Sequence, residues 1–296
     1  MLFEELINEK EPAVKEAVDE VINTALENQS HPQDVLLVIK HSFFINSISE
    51  SLRGNHNISD FAFGPTDIGI SENTHSKFFE WYFKNHIVNK EKFLIEIKHD
   101  NELKEVEDIS VNIEKSIYVK FWEADMIVKY FYQLSLLCQG KNYDWYFNVP
   151  KHSREGSKQD IIRLEIRDQL KTICPKFYNL IKETYSTQLR NAIAHSQYFI
   201  RSRNIKYLNY SKDPKAFSGI ESLSFDEWAN YSHNTILIYI SLINRFTEIK
   251  ELYYQKTVKD EFLEIRIAQT KDKLLFSKIY LRNDYHEWTT FKKKEQ

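Results

Sequence analysis

Trp122, Met126, Tyr130, Leu134 and Leu137 recur every three or four residues. From about Val111 to Gln139 that spacing lines one face of a helix. The same period returns in three later stretches. One is about Lys158 to Ile173, with Ile161, Ile162, Leu164, Ile166 and Leu170. The next is about Pro175 to Ser196, with Phe177, Ile181, Tyr185, Leu189, Ala192 and Ile193. The last is about Phe225 to Tyr254. Glycine and proline number six each in 296 residues, so few breakers interrupt long elements. Pro175 suits a first helical turn. Ser224-Phe-Asp-Glu227 fits a capping box. Four consecutive helices are expected, with long polar joints at Lys141–Gly156 and Gln197–Leu223. The second joint holds Tyr207–Tyr210 and is expected to form a small hairpin.

Before these helices, residues 1–52 read as two more, broken at Gln29–Pro32. Residues 53–73 carry half of the glycines and read as irregular. Phe78 to Ile87 reads as helical. Lys92–Lys98 (KFLIEIK) alternates like a strand. The charged stretch Asn101–Asp108 is the expected boundary. After Lys256 the period changes: Glu261–Ile267, Lys273–Leu281 and Glu287–Phe291 read as three short strands. The expected organisation is a mostly helical region at 1–109, a helical region at 110–255 and a β segment at 256–296. No repeat or low-complexity tract is present.

The formal net charge is −3, so charge over the whole chain gives no case for nucleic acid; such a site must be a local patch. Cys138 and Cys174 sit in apolar surroundings without metal-like spacing, as structural thiols in a reducing compartment would. The start, MLFEELINEKEP, lacks the basic-then-apolar order of a signal peptide. The longest apolar run, Ile236–Ile243, is too short to span a bilayer. A cytoplasmic protein without a membrane partner is expected.

Against this background stands LRNAIAH, Leu189–His195, near the end of the third of the four helices. Asn191 and His195 are four apart and share a face. Arg190 lies about 140° round an ideal helix from His195, so only a long side chain could swing back. A histidine such as His195 can take or give a proton; Arg190 offers a charged planar fork to phosphate. Downstream, Arg201, Arg203 and Lys206 alternate with Tyr198, Phe199 and Tyr207, a mix that can track single-stranded RNA by charge and stacking.

The piece Arg190-Asn191-Ala192-Ile193-Ala194-His195, so placed, resembles the signature of HEPN domains. The resemblance covers about residues 110–255 and leaves the first 105 residues and the C-terminal strands outside it. It implies a mainly α fold: a four-helix bundle, with a helical N-terminal region before it and a small β segment after it. It implies metal-independent endoribonuclease activity in a toxin or antiphage setting, with no metal and no cofactor. Members usually dimerise and pool two motifs in one cleft, so a homodimer through the helical bundle is expected, with an inhibitory or sensor partner possible. Cleavage without metal uses the RNA 2′-hydroxyl as nucleophile and needs a base, an acid and a cation for the phosphorane. The implied roles are general acid/base for His195, phosphate clamp for Arg190 and orienting group for Asn191, with Tyr198, Arg201 and Arg203 on the RNA. Glu123, turned nearer the core than most acids, could hold Arg190 or the imidazole.

Three rival readings come from the same residues. Asp67, then Glu96-Ile97-Lys98 in the expected strand, loosely resembles the magnesium-dependent PD-(D/E)xK nucleases. Gly64 and Gly69 copy the glycine spacing of a phosphate-binding loop but lack its lysine. His41, His56, His86, His152 and His233 are scattered, not at metal-ligand spacing. A helical dimerisation or binding module without catalysis would carry the same composition and charge.

Overall fold

α1 runs from Glu4 to Asn28 and α2 from Asp34 to Lys40. The structure, a computed structural model, describes residues 3–40, 89–147, 149–150, 157–213, 218–270, 273–282 and 287–289. Asp67, Gly64, Gly69, His41, His56, His86, His152 and the helix expected at Phe78–Ile87 lie outside them. The protein is mainly α-helical, with short antiparallel sheets. Its contacts gather into two compact units, each made of three segments: 1–18, 74–124 and 176–241; and 19–73, 125–175 and 242–296.

The first unit holds α3 (Lys90–Glu96), α4 (Asn101–Glu123), α7 (Pro175–Thr184) and α8 (Thr187–Ala194). KFLIEIK is therefore a helix end and not a strand. Its alternation also satisfies i, i+4 spacing: Phe93 and Ile97 are buried with Phe3, while Ile95 is exposed. Local capping decides between the two readings, because the Asn89 side chain accepts from the Lys92 N–H and Glu5 accepts from the Lys90 N–H. The charged stretch Asn101–Asp108 forms the first two turns of α4, capped by Asp100, which accepts from the N–H groups of Glu102 and Leu103. β1 (Tyr198–Arg201) and β2 (Asn204–Tyr207) form the expected hairpin, and β3 (Ser222–Ser224) pairs with β2. The two-residue turn is Ser202-Arg203, both at positive φ (48° and 58°) without glycine. Next comes α9 (Phe225–Asp260), entered through the expected capping box: Ser224 Oγ accepts from the Glu227 N–H, and Glu227 accepts from the Ser224 N–H.

The helix expected from Val111 to Gln139 is broken at Ala124, whose backbone is extended; α5 (Asp125–Cys138) follows in the second unit. The stretch expected as one α-helix at Lys158–Ile173 is a short α6 (Lys158–Asp160), a π-helix (Ile161–Arg167) and a 3-10 turn (Asp168–Leu170). The five-residue step from Ile161 to Ile166, both buried, is a π spacing; Leu164 faces solvent. β4 (Leu263–Thr270), β5 (Lys273–Arg282) and β6 (Glu287–Thr289) form the antiparallel C-terminal sheet, at the three expected places.

Arg266 on β4 bonds the buried carboxylate of Asp34, Ser30 at 2.7 Å and Asn142 at 3.0 Å, tying the sheet to the helices of this unit. Burial raises the Asp34 pKa, and the Arg266 charge pulls it back. Cys138 and Cys174 are free buried thiols with Sγ atoms 3.9 Å apart. The Cys174 thiol beside it, then burial, hold the Cys138 thiol well above the ordinary range.

Lys129 on α5 is fully buried, and desolvation pulls its pKa down to about 7 against the opposing pull of Asp144. An unfolded lysine keeps its proton to about 10.5. Between these limits the unfolded chain binds more protons, so stability rises with pH. The buried phenols of Tyr143 and Tyr253 act oppositely at higher pH: burial raises their pKa, so the unfolded chain ionises first. The urea midpoint is expected to climb from about pH 7 and fall beyond about pH 10. Lys129→Met should reduce the climb, leave the part that Lys115, lowered to about 8, contributes, and leave the fall.

Candidate active site

α8 carries the motif, and a break in the chain sets its direction. α7 ends at Thr184, and Ser186 caps α8 by accepting from the Leu189 N–H. The single helix expected from Pro175 to Ser196 is therefore two. The break is held by Tyr118 of α4, whose hydroxyl donates to the Thr184 carbonyl at 3.1 Å and accepts from the Ser186 N–H at 3.0 Å. A side chain inserted into the helical ladder is a recognised cause of a kink. Burial raises the Tyr118 pKa well above the ordinary value, so the phenol keeps the proton it donates.

Leu189 and Ala192 are buried, so α8 turns Arg190, Asn191 and His195 away from the core. Gln188, also buried, exchanges two hydrogen bonds with the Ile220 backbone: Nε2 to O at 2.6 Å and N to Oε1 at 2.8 Å. Asn209 donates to the Gln188 carbonyl at 3.1 Å. The far end is a Schellman turn: the Gln197 N–H reaches the Ala192 carbonyl, the Ser196 N–H reaches that of Ile193, and Ser196 takes φ 54°.

Arg190 meets Glu123, the last residue of α4, with Nη1 to Oε1 at 2.7 Å. The Arg190 side chain is 16% exposed, so this cation is mostly shielded, and its Nε is buried without an acceptor among the described residues. Asn191 is half-buried and His195 exposed at the cap. The structure joins Arg190 to Glu123; it shows no side-chain bond from Asn191 or His195 among the described residues.

The residues expected on RNA divide. Arg201 is exposed. The Tyr198 ring lies under the ammonium of Lys115, 3.8 Å from its centroid. Lys115 is buried, and desolvation lowers its pKa to about 8. Arg203 is held by the buried Glu107 through two bonds of 2.8 Å, so its fork already has a carboxylate. A cleft of about 750 Å³ beside it is lined by Lys98, Lys104, Glu107, Asp108 and Arg203, among others. For the rival nuclease pattern, Glu96 closes α3 and Lys98 follows in a turn, so the required strand is not there. His233 is buried within α9. Among the described residues no three of His, Cys, Asp and Glu gather as metal ligands, and no helix is long and apolar enough to cross a membrane.

Tyr118 and Gln188 position the motif and escaped the sequence reading. A tyrosine on a helix's buried face looks like any core aromatic, and a glutamine beside the motif looks like surface. No protein-family model, curated protein or solved structure matches this chain.

Two substitutions test this geometry. Tyr118→Phe leaves the Thr184 carbonyl and Ser186 N–H buried without their partner, at a cost of about 1–3 kcal/mol. The urea midpoint should fall accordingly. Arg203→Ala strands Glu107 without its cation and should cost about 3 kcal/mol. Arg201→Ala should leave the midpoint unchanged, since Arg201 is exposed.

Proposed function

We propose that the chain is a metal-independent endoribonuclease of the HEPN type. Its HEPN-like bundle would lie within about residues 110–255. It would act as a homodimer through its helical part, in a toxin or antiphage role, under an inhibitory or sensor partner in the cytoplasm. The observation that carries the reading is the placement of Arg190, Asn191 and His195. All three lie on α8 or at its C-cap, with His195 exposed and Arg190 paired with Glu123. His195 takes the proton of the 2′-hydroxyl or protonates the leaving 5′-oxygen. The other transfer falls to water. Arg190 balances charge on the phosphorane through the donors Glu123 leaves open. Asn191, one turn before His195, orients the imidazole or binds phosphate. Tyr198 and Arg201 guide the strand leading away, and Arg203 shapes that surface through its pair with Glu107.

A second reading is a helical binding module without catalysis. One observation favours it: the Arg190 guanidinium is already paired and largely shielded. A structural ion pair needs no substrate.

The test is purified protein on a mixed RNA pool in EDTA, beside Arg190→Ala and His195→Ala. The expected outcome is cleavage by wild type with 2′,3′-cyclic phosphate ends, falling at least about 100-fold in either variant. Cleavage that needs added Mg²⁺ and ignores both substitutions would overturn the reading. Absence of cleavage with and without EDTA would favour the binding module.

A further inference from the structure

α4 has an unusually polar inward side over its first four turns. Beside the buried Val111 it carries Glu107, Ser110, Glu114 and Lys115, all buried. Its outward side carries Val106, Ile109 and Ile113, which are 41%, 59% and 38% exposed. Single exposed aliphatics need no explanation, but three in register on one helix are a face. On an ideal helix Glu102, Val106, Ile109, Ile113, Ser116 and Lys120 fall within a wedge of about 80°. Glu102 and Lys120 are exposed and have no ion pair among the described residues.

The stripe is palindromic in chemistry. A two-fold axis crossing α4 at the level of Val111 sets each residue opposite the one equally far along the helix in a second copy. Ile109 then faces Ile113, Val106 faces Ser116, and Glu102 faces Lys120, each contact occurring twice. Self-complementary spacing of this kind is what an isologous interface requires. The charges also fix the direction: a parallel pairing would set Glu102 on Glu102 and Lys120 on Lys120.

We infer that a second copy of this chain docks antiparallel on the outer face of α4 through Ile109, Ile113 and the Glu102–Lys120 pairs. The inference is independent of the ribonuclease reading. Glu123, which holds Arg190, lies twelve residues from Val111. That is about 18 Å along the helix, so two such sites would stand about 36 Å apart. This contact leaves each motif to act alone; it does not pool them.

The test is the mass in solution of the full chain, by light scattering after size exclusion, over a range of micromolar concentrations. Wild type should run at twice 35.4 kDa. Ile109→Glu and Ile113→Glu should each give the single-chain mass with an unchanged circular dichroism spectrum. Glu102→Lys and Lys120→Glu should each weaken association several-fold, and the double exchange should restore it. A single-chain mass for wild type throughout would overturn the inference and assign the face to another occupant. So would a dimer indifferent to Ile109→Glu, or a double exchange as weak as the single variants. RNA cleavage plays no part in this readout.

Discussion

Between Thr184 and Ser186 the chain gives up helical hydrogen bonding, and one phenol takes the two backbone groups that this leaves. Tyr118 can do so because it is both donor and acceptor and stands fully buried on α4. The consequences run outward. The break lets Ser186 cap a new helix, so α8 starts its own phase instead of continuing that of α7. In that phase Leu189 and Ala192 face the core, and Arg190 comes round to the end of α4. Trp228 packs edge-on to Tyr118 at 5.4 Å and Trp122 lies at 6.5 Å, so the phenol has little room to move.

α4 is therefore the element against which the motif is set, and its inward face is unusually polar. Glu114 accepts from Ser110, from the Trp228 indole at 3.0 Å and from Ser232 at 3.4 Å. Glu107 takes both arms of Arg203. Lys115 rests on the Tyr198 ring. Buried charges are weak evidence of stability, because desolvation offsets most of the attraction, but removing one partner of such a pair is costly. Their effect here is positional. Each fixes a different neighbour of the motif: Glu114 the start of α9, Glu107 the hairpin turn and Lys115 the first strand. The Arg203 fork also secures a turn whose two residues sit at positive φ without glycine.

What the sequence made legible follows from how local each signal is. The capping box at Ser224 and Glu227 needs only four residues and no tertiary partner. The C-terminal strands alternate over enough residues to exclude a helix. KFLIEIK is too short for its period to decide, and a cap contributed partly by Glu5, far away in sequence, settles it as helix. The breaks at Ala124 and Tyr185 have no glycine or proline to mark them. The second exists because of Tyr118, more than sixty residues away. Glu107 lay in a stretch that looked solvated, and only the return of Arg203 explains its burial. The motif itself was legible as residue types at a spacing. Its anchor, Glu123, was visible only as an acid turned nearer the core than most, because helix phase says where a residue faces and not what meets it.

The Arg190–Glu123 pair bears directly on what the motif can do. A carboxylate beside a phosphate clamp opposes the phosphate it should bind, since like charges at short range repel. Arginine can serve both because its five donors point in different directions. Glu123 sits 2.7 Å from Nη1 as an ion-pair partner and holds the guanidinium at the end of α4 before any anion arrives. A lysine could not divide its charge in this way. On the proposed ribonuclease reading, Glu123 would trade affinity for geometry: ground-state phosphate would bind less well, while a guanidinium already in place would lose no freedom as charge builds on the phosphorane. Glu123→Gln distinguishes this role from a purely structural one. If Glu123 positions the clamp, the neutral amide should tighten RNA binding and slow cleavage. A structural brace alone would show a lower melting temperature with both RNA parameters unmoved.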